Sequence, residues 1–283
     1  MSIPHFLTRR AGCPRRHAVL CIGDVFYCAN MLSASVLPVP VLRWLSGSPF
    51  VAETFGQAPL ASQLHVAVRW RLMPFLSLLG HVPSNLTGPA LDLGCGHGLW
   101  SLLLAQRRPG LQVVGIDPDE PRIRTAQALA AQHGLPAKFA VARMQELTGE
   151  PPAVEDVPSG PSLALISILD ALYLVPPSDE DALFQGLASR LRPGGLLLLK
   201  EMGDRPRWKR AWNHAQESLA VRALGITVGE RLYVRREDQC VALLERAGLK
   251  VRCVPLHRNY VHPHCVYIGE KPNGIASSRQ PPT

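Results

Sequence analysis

The sequence predicts an α/β protein whose core is an open, largely parallel β-sheet with helices on both faces. An apolar strand runs directly into a glycine turn and then an apolar helix at residues 90–105. A second apolar strand follows at 112–117, and the run 162–169 is almost continuously apolar. Such a run is expected of a strand covered on both faces. Strands that alternate with helical segments are typical of βαβ units and therefore of a parallel sheet.

Residues 1–55 are predicted to be an N-terminal arm. Its apolar stretch, residues 18–45, is interrupted by Asp24 and Asn30 and then by two prolines. A membrane-spanning helix needs about 20 mostly apolar residues, so we expect none here. Two interpretations remain open: a partly ordered arm that covers a ligand site or touches a membrane, and an over-long gene model whose true start is Met31.

A single folded domain is predicted over residues 56–270, with a disordered tail at 271–283. Its first element is a helix over residues 60–79, in which apolar residues recur at helical spacing. The residues expected on its packed side are Leu64, Val68, Leu72, Phe75, Leu76 and Leu79. This helix either packs on the core or also helps to close a site.

The glycine turn predicts a close approach between the backbone and a ligand. Gly94, Gly96 and Gly98 lack a Cβ atom, so this segment can take positive φ angles. The dinucleotide-binding fingerprint is G-x-G-x-x-G, whereas the spacing here is G-x-G-x-G. Cys95 lies inside the turn, where a small side chain suffices, and we expect no catalytic role for it.

Two acids stand at the ends of the first two predicted strands. Asp92 closes the first strand and can meet a cation, while Asp117 closes the second and can accept hydrogen bonds from both hydroxyls of a ribose. Pro118 then disfavours helix at its predecessor. The alternative is that each acid only caps a helix, as aspartate often does.

The segment 91–98, Leu-Asp-Leu-Gly-Cys-Gly-His-Gly, resembles the first motif of class I S-adenosylmethionine-dependent methyltransferases. The segment 191–197, Leu-Arg-Pro-Gly-Gly-Leu-Leu, is similar to a later structural turn of that family. The resemblance implies a Rossmann-like sheet of seven strands with an antiparallel last strand. It also implies S-adenosylmethionine bound at the glycine turn, and transfer of its methyl group by in-line displacement.

The resemblance also suggests further cofactor contacts. The family commonly has an acid after the third strand that accepts from the adenine amino group, but here the chain continues with Arg143. Met144 is then the candidate for the adenine face, and Gln145 or Glu146 for its edge. Asp170 follows the fourth strand and is a candidate for binding the cofactor's amino group or orienting the acceptor, with helix capping as the alternative.

The acceptor is expected to be a small molecule, either free or presented by an acidic carrier protein, that is methylated on oxygen or nitrogen. Candidate substrate contacts are Tyr173, Arg205, Trp208 and Tyr260, for each of which packing or a solvated surface is the alternative. The rival acceptors are a phospholipid or RNA. The rival from another class is a binding protein that retains the cofactor fold without catalysis.

Three histidines near the end of the domain are candidates for a general base: His257, His262 and His264. An imidazole pKa near 6.5 suits proton removal at neutral pH. With Cys265 they form the spacing H-x4-H-x-H-C, which does not match the usual structural zinc patterns. We therefore predict no metal site.

The remaining elements follow from periodicity and from turn residues. The predicted helices are 120–133, 178–192 and 235–247, and the predicted strands are 137–142, 196–201, 249–254 and 264–269.

The net charge limits which partners the protein can have, and the cysteine content indicates its cellular compartment. The formal net charge of +8 and the isoelectric point near 9.4 favour acidic partners, but no motif for binding nucleic acid accompanies them. The seven cysteines form no C-x-x-C pair and indicate reduced thiols, hence a cytoplasmic protein. The oligomeric state is left open.

Overall fold

The computed structural model describes residues 36–149, 154–202, 233, 235–256, 260 and 263–273, together with the backbone of a short antiparallel hairpin. The hairpin consists of β1 (Ala18–Ile22) and β2 (Val25–Ala29). Within these residues, every helix is too short or too polar to cross a bilayer.

The main sheet has seven strands in the order β5-β4-β3-β6-β7-β9-β8. Its strands are β3 (Gly88–Leu93), β4 (Leu111–Asp117), β5 (Ala137–Val141), β6 (Leu163–Leu169), β7 (Leu191–Met202), β8 (Lys250–Pro255) and β9 (His264–Glu270). The strands β3 to β7 pair in parallel, and β9 runs antiparallel to both of its neighbours. The predicted α/β architecture with an antiparallel last strand is confirmed.

Helices cover both faces of this sheet. They are α1 (Val39–Ser46), α2 (Pro49–Phe55), α3 (Leu60–Leu72), α4 (Phe75–Leu79), α5 (Leu99–Arg107), α6 (Glu120–His133), α7 (Pro177–Arg190) and α8 (Glu237–Arg246), with short 3₁₀ helices at Met144–Leu147 and Leu172–Leu174. Successive residues of β6 alternate between the two cores: Leu165 packs with the α1–α6 side and Ile166 with the α7–α8 side.

The predicted helix over 60–79 is wrong in two respects. It is divided at Pro74 into α3 and α4, and only Phe75 and Leu79 of its expected packed side are buried. The other four are exposed, with fractional exposures of 41 to 59%: Leu64, Val68, Leu72 and Leu76.

The face of α3 that packs inward is more polar than the periodicity suggested. Gln63 is fully buried, and its side-chain amide donates to the carbonyl oxygens of Phe55 and Gly56. Its Oε1 accepts from the backbone N–H of Leu37. Because these contacts satisfy the amide, a polar residue can occupy the interior at little cost.

The turn before β7 also differs from the prediction. Helix α7 ends at Arg190, and Pro193-Gly194-Gly195 lies inside β7 as an irregularity of the strand. Gly194 has φ +72°, and the register with β6 shifts between Leu163 and Leu165. The glycines therefore allow a bulge within the strand instead of a loop before it.

Candidate active site

The turn between β3 and α5 has the backbone that its glycines predicted. Gly94, Gly96 and Gly98 have φ values of +72°, +56° and +76°. A Cβ atom at Gly94 would lie 2.7 Å from the Cβ of Ala171, and one at Gly98 would lie 2.9 Å from that of Ala126. A Cβ at Gly96 would meet no atom within 4 Å. Gly96 is therefore the position in this turn that borders open space.

Asp117, at the end of β4, holds the backbone of the neighbouring glycine turn by hydrogen bonds. Its Oδ2 accepts from the backbone N–H of Gly96 at 2.9 Å, and its Oδ1 accepts from that of Asp119 at 2.9 Å. Each oxygen retains a second lone pair for a ligand. The cap of α6 is Asp119, which accepts from the N–H of Arg122, so Asp117 is not a capping residue.

Asp92 lies beneath the turn and is only 2% exposed. Its carboxylate accepts from the hydroxyls of Ser101 at 2.6 Å and Ser167 at 2.9 Å. Burial raises the pKa of Asp92 to about 6, although these two hydrogen bonds act in the opposite direction. Asp92 also does not cap α5, because Gly98 occupies the capping position.

Helix α3 covers the turn with two residues spaced one helical turn apart, His65 and Arg69. The ring of His65 lies 4.9 Å from the ring of His97, centroid to centroid. Burial is the main cause that lowers the pKa of His97 to about 4, so this imidazole is neutral at pH 7. The sequence reasoning missed these residues, although an H-x3-R spacing on a helix just before the first strand was a usable signal.

The end of β6 forms the opposite side of the site. Asp170 has φ +52°, an unusual value for a residue other than glycine. Its carboxylate accepts from the Nζ of Lys200 at 2.5 Å. Asp170 caps no helix, because the following 3₁₀ helix is capped by Ala171 and α7 by Pro176.

These parts enclose a cavity of about 250 Å³ between α3, the glycine turn and the end of β6. The predicted site residues that line it are Asp92, Gly94, Cys95, Gly96, Asp117, Asp170 and Tyr173. Ligands of open α/β sheets bind at these carboxyl ends of the strands. The cavity therefore lies where a cofactor of this fold is expected.

Comparison with known proteins agrees with the geometry. A family model described as "Methyltransferase domain" matches residues 90–195. A trans-aconitate 2-methyltransferase of Delftia acidovorans is 29% identical over 202 residues, covering 68% of this chain and 70% of that protein. A ubiquinone biosynthesis O-methyltransferase of Idiomarina loihiensis is 30% identical over 128 residues, covering 44% of this chain and 48% of that protein.

These matches support a class I S-adenosylmethionine-dependent methyltransferase. The fold agrees: the crystal structure of the S-adenosylmethionine-dependent methyltransferase SibL in its apo form superposes with a TM-score of 0.58 at 18% identity, over 82% of this chain and 62% of that one. The matched part of this chain covers 70% of the trans-aconitate 2-methyltransferase, 62% of SibL and 48% of the ubiquinone biosynthesis O-methyltransferase.

The residues of the cavity fit S-adenosylmethionine, the cofactor of this family. Gly96 offers backbone that a ligand can approach without meeting a side chain. The carboxylate of Asp117 lines the same cavity, and it is suited to ribose hydroxyls because its oxygens keep free lone pairs.

Several predicted contacts of the methyltransferase are not among the residues that line this cavity. Gly98 packs against α6, Pro118 is exposed, and Met144 is buried at the start of a 3₁₀ helix. Gln145 is half-buried in that helix. The roles assigned to Pro118, Met144 and Gln145 stay predictions.

The proposed bases are only partly described. His257 and His262, like the predicted substrate contacts Arg205 and Trp208, lie outside the described residues. His264 is 4% exposed, and its Nε2 lies 2.8 Å from the carbonyl oxygen of Leu72, which joins β9 to α3. Tyr260 packs edge-on against His264 at 5.7 Å between ring centroids. This geometry favours a structural contribution for His264, and its role as a base stays a prediction.

Proposed function

We propose that this methyltransferase transfers a methyl group from S-adenosylmethionine to an oxygen atom of a small-molecule acceptor. The observation that carries the proposal is the cavity that Gly96, Asp117 and Tyr173 line together. The relatives named as ubiquinone biosynthesis O-methyltransferases support oxygen over nitrogen as the atom modified.

The residues hold the reactants in place. Bound S-adenosylmethionine supplies an electrophilic methyl group attached to a positively charged sulfur. Gly96 and Asp117 would hold its nucleoside, and Asp92 contributes a buried acid below the turn. Tyr173 and Leu174, in the 3₁₀ helix that follows β6, would orient the acceptor. Alignment of the two reactants lowers the barrier chiefly by proximity.

The acceptor oxygen must also lose its proton. His257, His262 and His264 remain the proposed bases, and two further imidazoles, His65 and His97, line the cavity. Burial lowers the pKa of both, so both are neutral at pH 7 and have a lone pair that can accept a proton. We propose that the base is the histidine that lies nearest the acceptor hydroxyl, and that it is not His97, because a pKa of about 4 makes that imidazole a weak base at neutral pH.

The test is transfer of labelled methyl groups in fractionated cell extract. We expect label from S-adenosylmethionine to enter the small-molecule fraction and to be attached through oxygen, as mass spectrometry of the product would show. Asp117→Ala should lose transfer because it removes the ribose contact. Asp156→Ala removes a surface acid that is paired with Lys138 and should retain transfer.

Label in another fraction would contradict the proposal. Incorporation into RNA, phospholipid or protein would each assign a different acceptor. A protein-bound product released by thioester cleavage would instead indicate a small molecule carried by an acidic protein. Binding of the cofactor without transfer to any fraction would favour a non-catalytic protein.

A further inference from the structure

Helix α3 is inverted relative to an ordinary helix on a protein surface. Its inward face includes two polar residues, Ser62 and Gln63, which are 6% and 0% exposed. Its outward face carries Leu64, Val68 and Leu72, which are 44%, 56% and 41% exposed. Residues four apart lie on the same side of a helix, so these three form one apolar row. A helix that only faces water turns its polar side outward instead.

Two neighbouring helices extend this apolar row. Leu76 in α4, just past the break at Pro74, is 59% exposed. Trp44 in α1 is 64% exposed, the highest value among the large apolar side chains of the described residues. The guanidinium of Arg71 in α3 donates to the carbonyl oxygens of Trp44 and Leu45, so the ends of α1 and α3 are in contact. We call the following five residues the apolar surface: Trp44, Leu64, Val68, Leu72 and Leu76.

The charged side chains on these three helices are all positive. None of α1, α3 and α4 contains an aspartate or a glutamate, whereas α1 carries Arg43 and α3 carries Arg69 and Arg71. Arg43 and Arg71 are exposed, and each is next in the sequence to a residue of the apolar surface, Trp44 and Leu72. The whole chain has a formal net charge of +8. This face therefore favours an anionic partner.

A bilayer with anionic headgroups matches this combination better than a second copy of the chain does. In a symmetric dimer through the apolar surface, Arg43 and Arg71 of both copies would share one interface and repel one another. A bilayer interface instead accepts aliphatic side chains at the acyl boundary and tryptophan at the level of the headgroups. Arginine is attracted to its anionic lipids. All three kinds of side chain lie together here.

The apolar surface also adjoins the cavity. Leu64 and Val68 directly precede His65 and Arg69, two of the α3 residues that line it. On the opposite side of the cavity, Leu174 is 40% exposed and lines it as well. Exposed apolar side chains are therefore found beside the cavity on two sides.

We propose that the apolar surface docks this protein on an anionic lipid bilayer, with Arg43 and Arg71 against the lipid phosphates. The aliphatic side chains enter the boundary between headgroups and acyl chains, and the cavity then lies beside the bilayer. The inference concerns binding alone, so it is tested independently of the acceptor and of methyl transfer.

The first test is flotation of the full-length protein with vesicles. We expect binding to vesicles that contain phosphatidylglycerol and phosphatidylcholine in equal amounts. Binding to pure phosphatidylcholine should be about 10- to 30-fold weaker, because two arginines lose their attraction to the surface. Added salt should weaken binding to the mixed vesicles. Equal binding to both kinds of vesicle, or binding to neither, overturns the proposal.

Two valines provide a matched pair for the apolar contact. Val68 and Val141 are 56% and 51% exposed, and Val141 lies in β5, the edge strand of the main sheet. Val68→Gln should weaken binding to the mixed vesicles about fivefold, whereas Val141→Gln should leave it unchanged. Trp44→Gln should weaken it about tenfold, since a larger apolar area is lost. Equal effects of the two valine variants overturn the proposal.

Two arginines provide a matched pair for the charge. Arg43→Gln and Arg124→Gln each remove one positive charge, and Arg124 lies in α6, where it is paired with Glu120. Arg43→Gln should weaken binding to the mixed vesicles about fivefold at low salt, and Arg124→Gln by less than about twofold. Equal losses would mean that net charge alone attracts the protein, and this result overturns the assigned surface.

The Val68→Gln variant also distinguishes two other occupants of the apolar surface. If it lowers the melting temperature and leaves flotation unchanged, another part of the chain covers this surface. If it converts a dimer to a monomer in analytical ultracentrifugation and leaves flotation unchanged, a second copy covers it. Either result overturns the proposal.

Discussion

Asp92 and Asp117 end neighbouring strands, yet their surroundings give them different properties. Asp117 is held by two backbone N–H groups, whereas Asp92 is buried and receives only two serine hydroxyls. The sequence placed both acids correctly at strand ends. It could not show how each carboxylate would be hydrogen-bonded, because one partner of Asp92 is Ser167, which is 75 residues away in the chain.

The burial of Asp92 predicts a pH dependence of stability. Its native pKa of about 6 lies above the unfolded value of 3.8, so the stability it contributes is fully present below pH 3.8 and is lost as the pH rises through 6. The difference corresponds to about 3 kcal/mol. Asp92→Asn should therefore gain stability relative to the wild type between pH 4 and pH 7, as measured by urea unfolding.

Other carboxyl groups titrate over the same range in both proteins, so the comparison isolates Asp92. Parallel stability curves for the wild type and Asp92→Asn would show that the native pKa of Asp92 is not raised.

At the scale of elements, the three glycines of the turn differ in what surrounds them: some pack against protein atoms and one borders the ligand space. All three glycines have positive φ, but only Gly96 borders open space. A Cβ at Gly98 would lie 2.9 Å from Ala126 and 3.0 Å from the ring of Phe139. Spacing along the sequence makes these glycines look equivalent, and only the packing of α6 and β5 distinguishes them.

This division predicts opposite phenotypes for two alanine variants. Gly96→Ala should stay folded, with a strain cost of about 1 kcal/mol, and lose affinity for S-adenosylhomocysteine because its Cβ enters the ligand space. Gly98→Ala should instead lose about 2 kcal/mol or more of stability. Thermal melting and calorimetry on both proteins measure the two effects, and equal losses of stability would refute the distinction.

Helix α3 shows how periodicity can identify a helix but not its orientation. The apolar spacing correctly indicated helix after residue 60, yet Leu64 and Val68 are exposed while Gln63 is buried. The apolar pattern could not identify the inward face, because Gln63 on that face donates to carbonyl oxygens of α2 and the following turn. On its third face the helix carries His65 and Arg69 into the cavity.

At the scale of the whole molecule, the cavity joins elements that are distant in the sequence. It brings together α3, the turn after β3, the end of β4 and the end of β6. A ligand bound there contacts the native state but not the unfolded chain, so it must stabilise the whole fold.

We therefore expect S-adenosylhomocysteine to raise the melting temperature. At 100 times its dissociation constant, the stabilisation is about 2.7 kcal/mol, or roughly 5 to 10 °C for a domain of this size. Scanning calorimetry over a range of ligand concentrations measures the shift. Asp117→Ala should need more ligand for the same shift, and an unchanged melting temperature of the wild type at every concentration would contradict the assigned site.

The sequence by itself determined the α/β class, the strand–turn–helix at 90–105 and the family, because these depend on local periodicity and on residues close together in the chain. The bounds of α6, Glu120–His133, were also predicted, with Gly134 ending the helix. Only the tertiary structure decided which side of α3 faces inward, and that Lys200 and Arg69 converge on Asp170. Those contacts join residues 30 and 101 positions apart in the chain, and no local pattern encodes them.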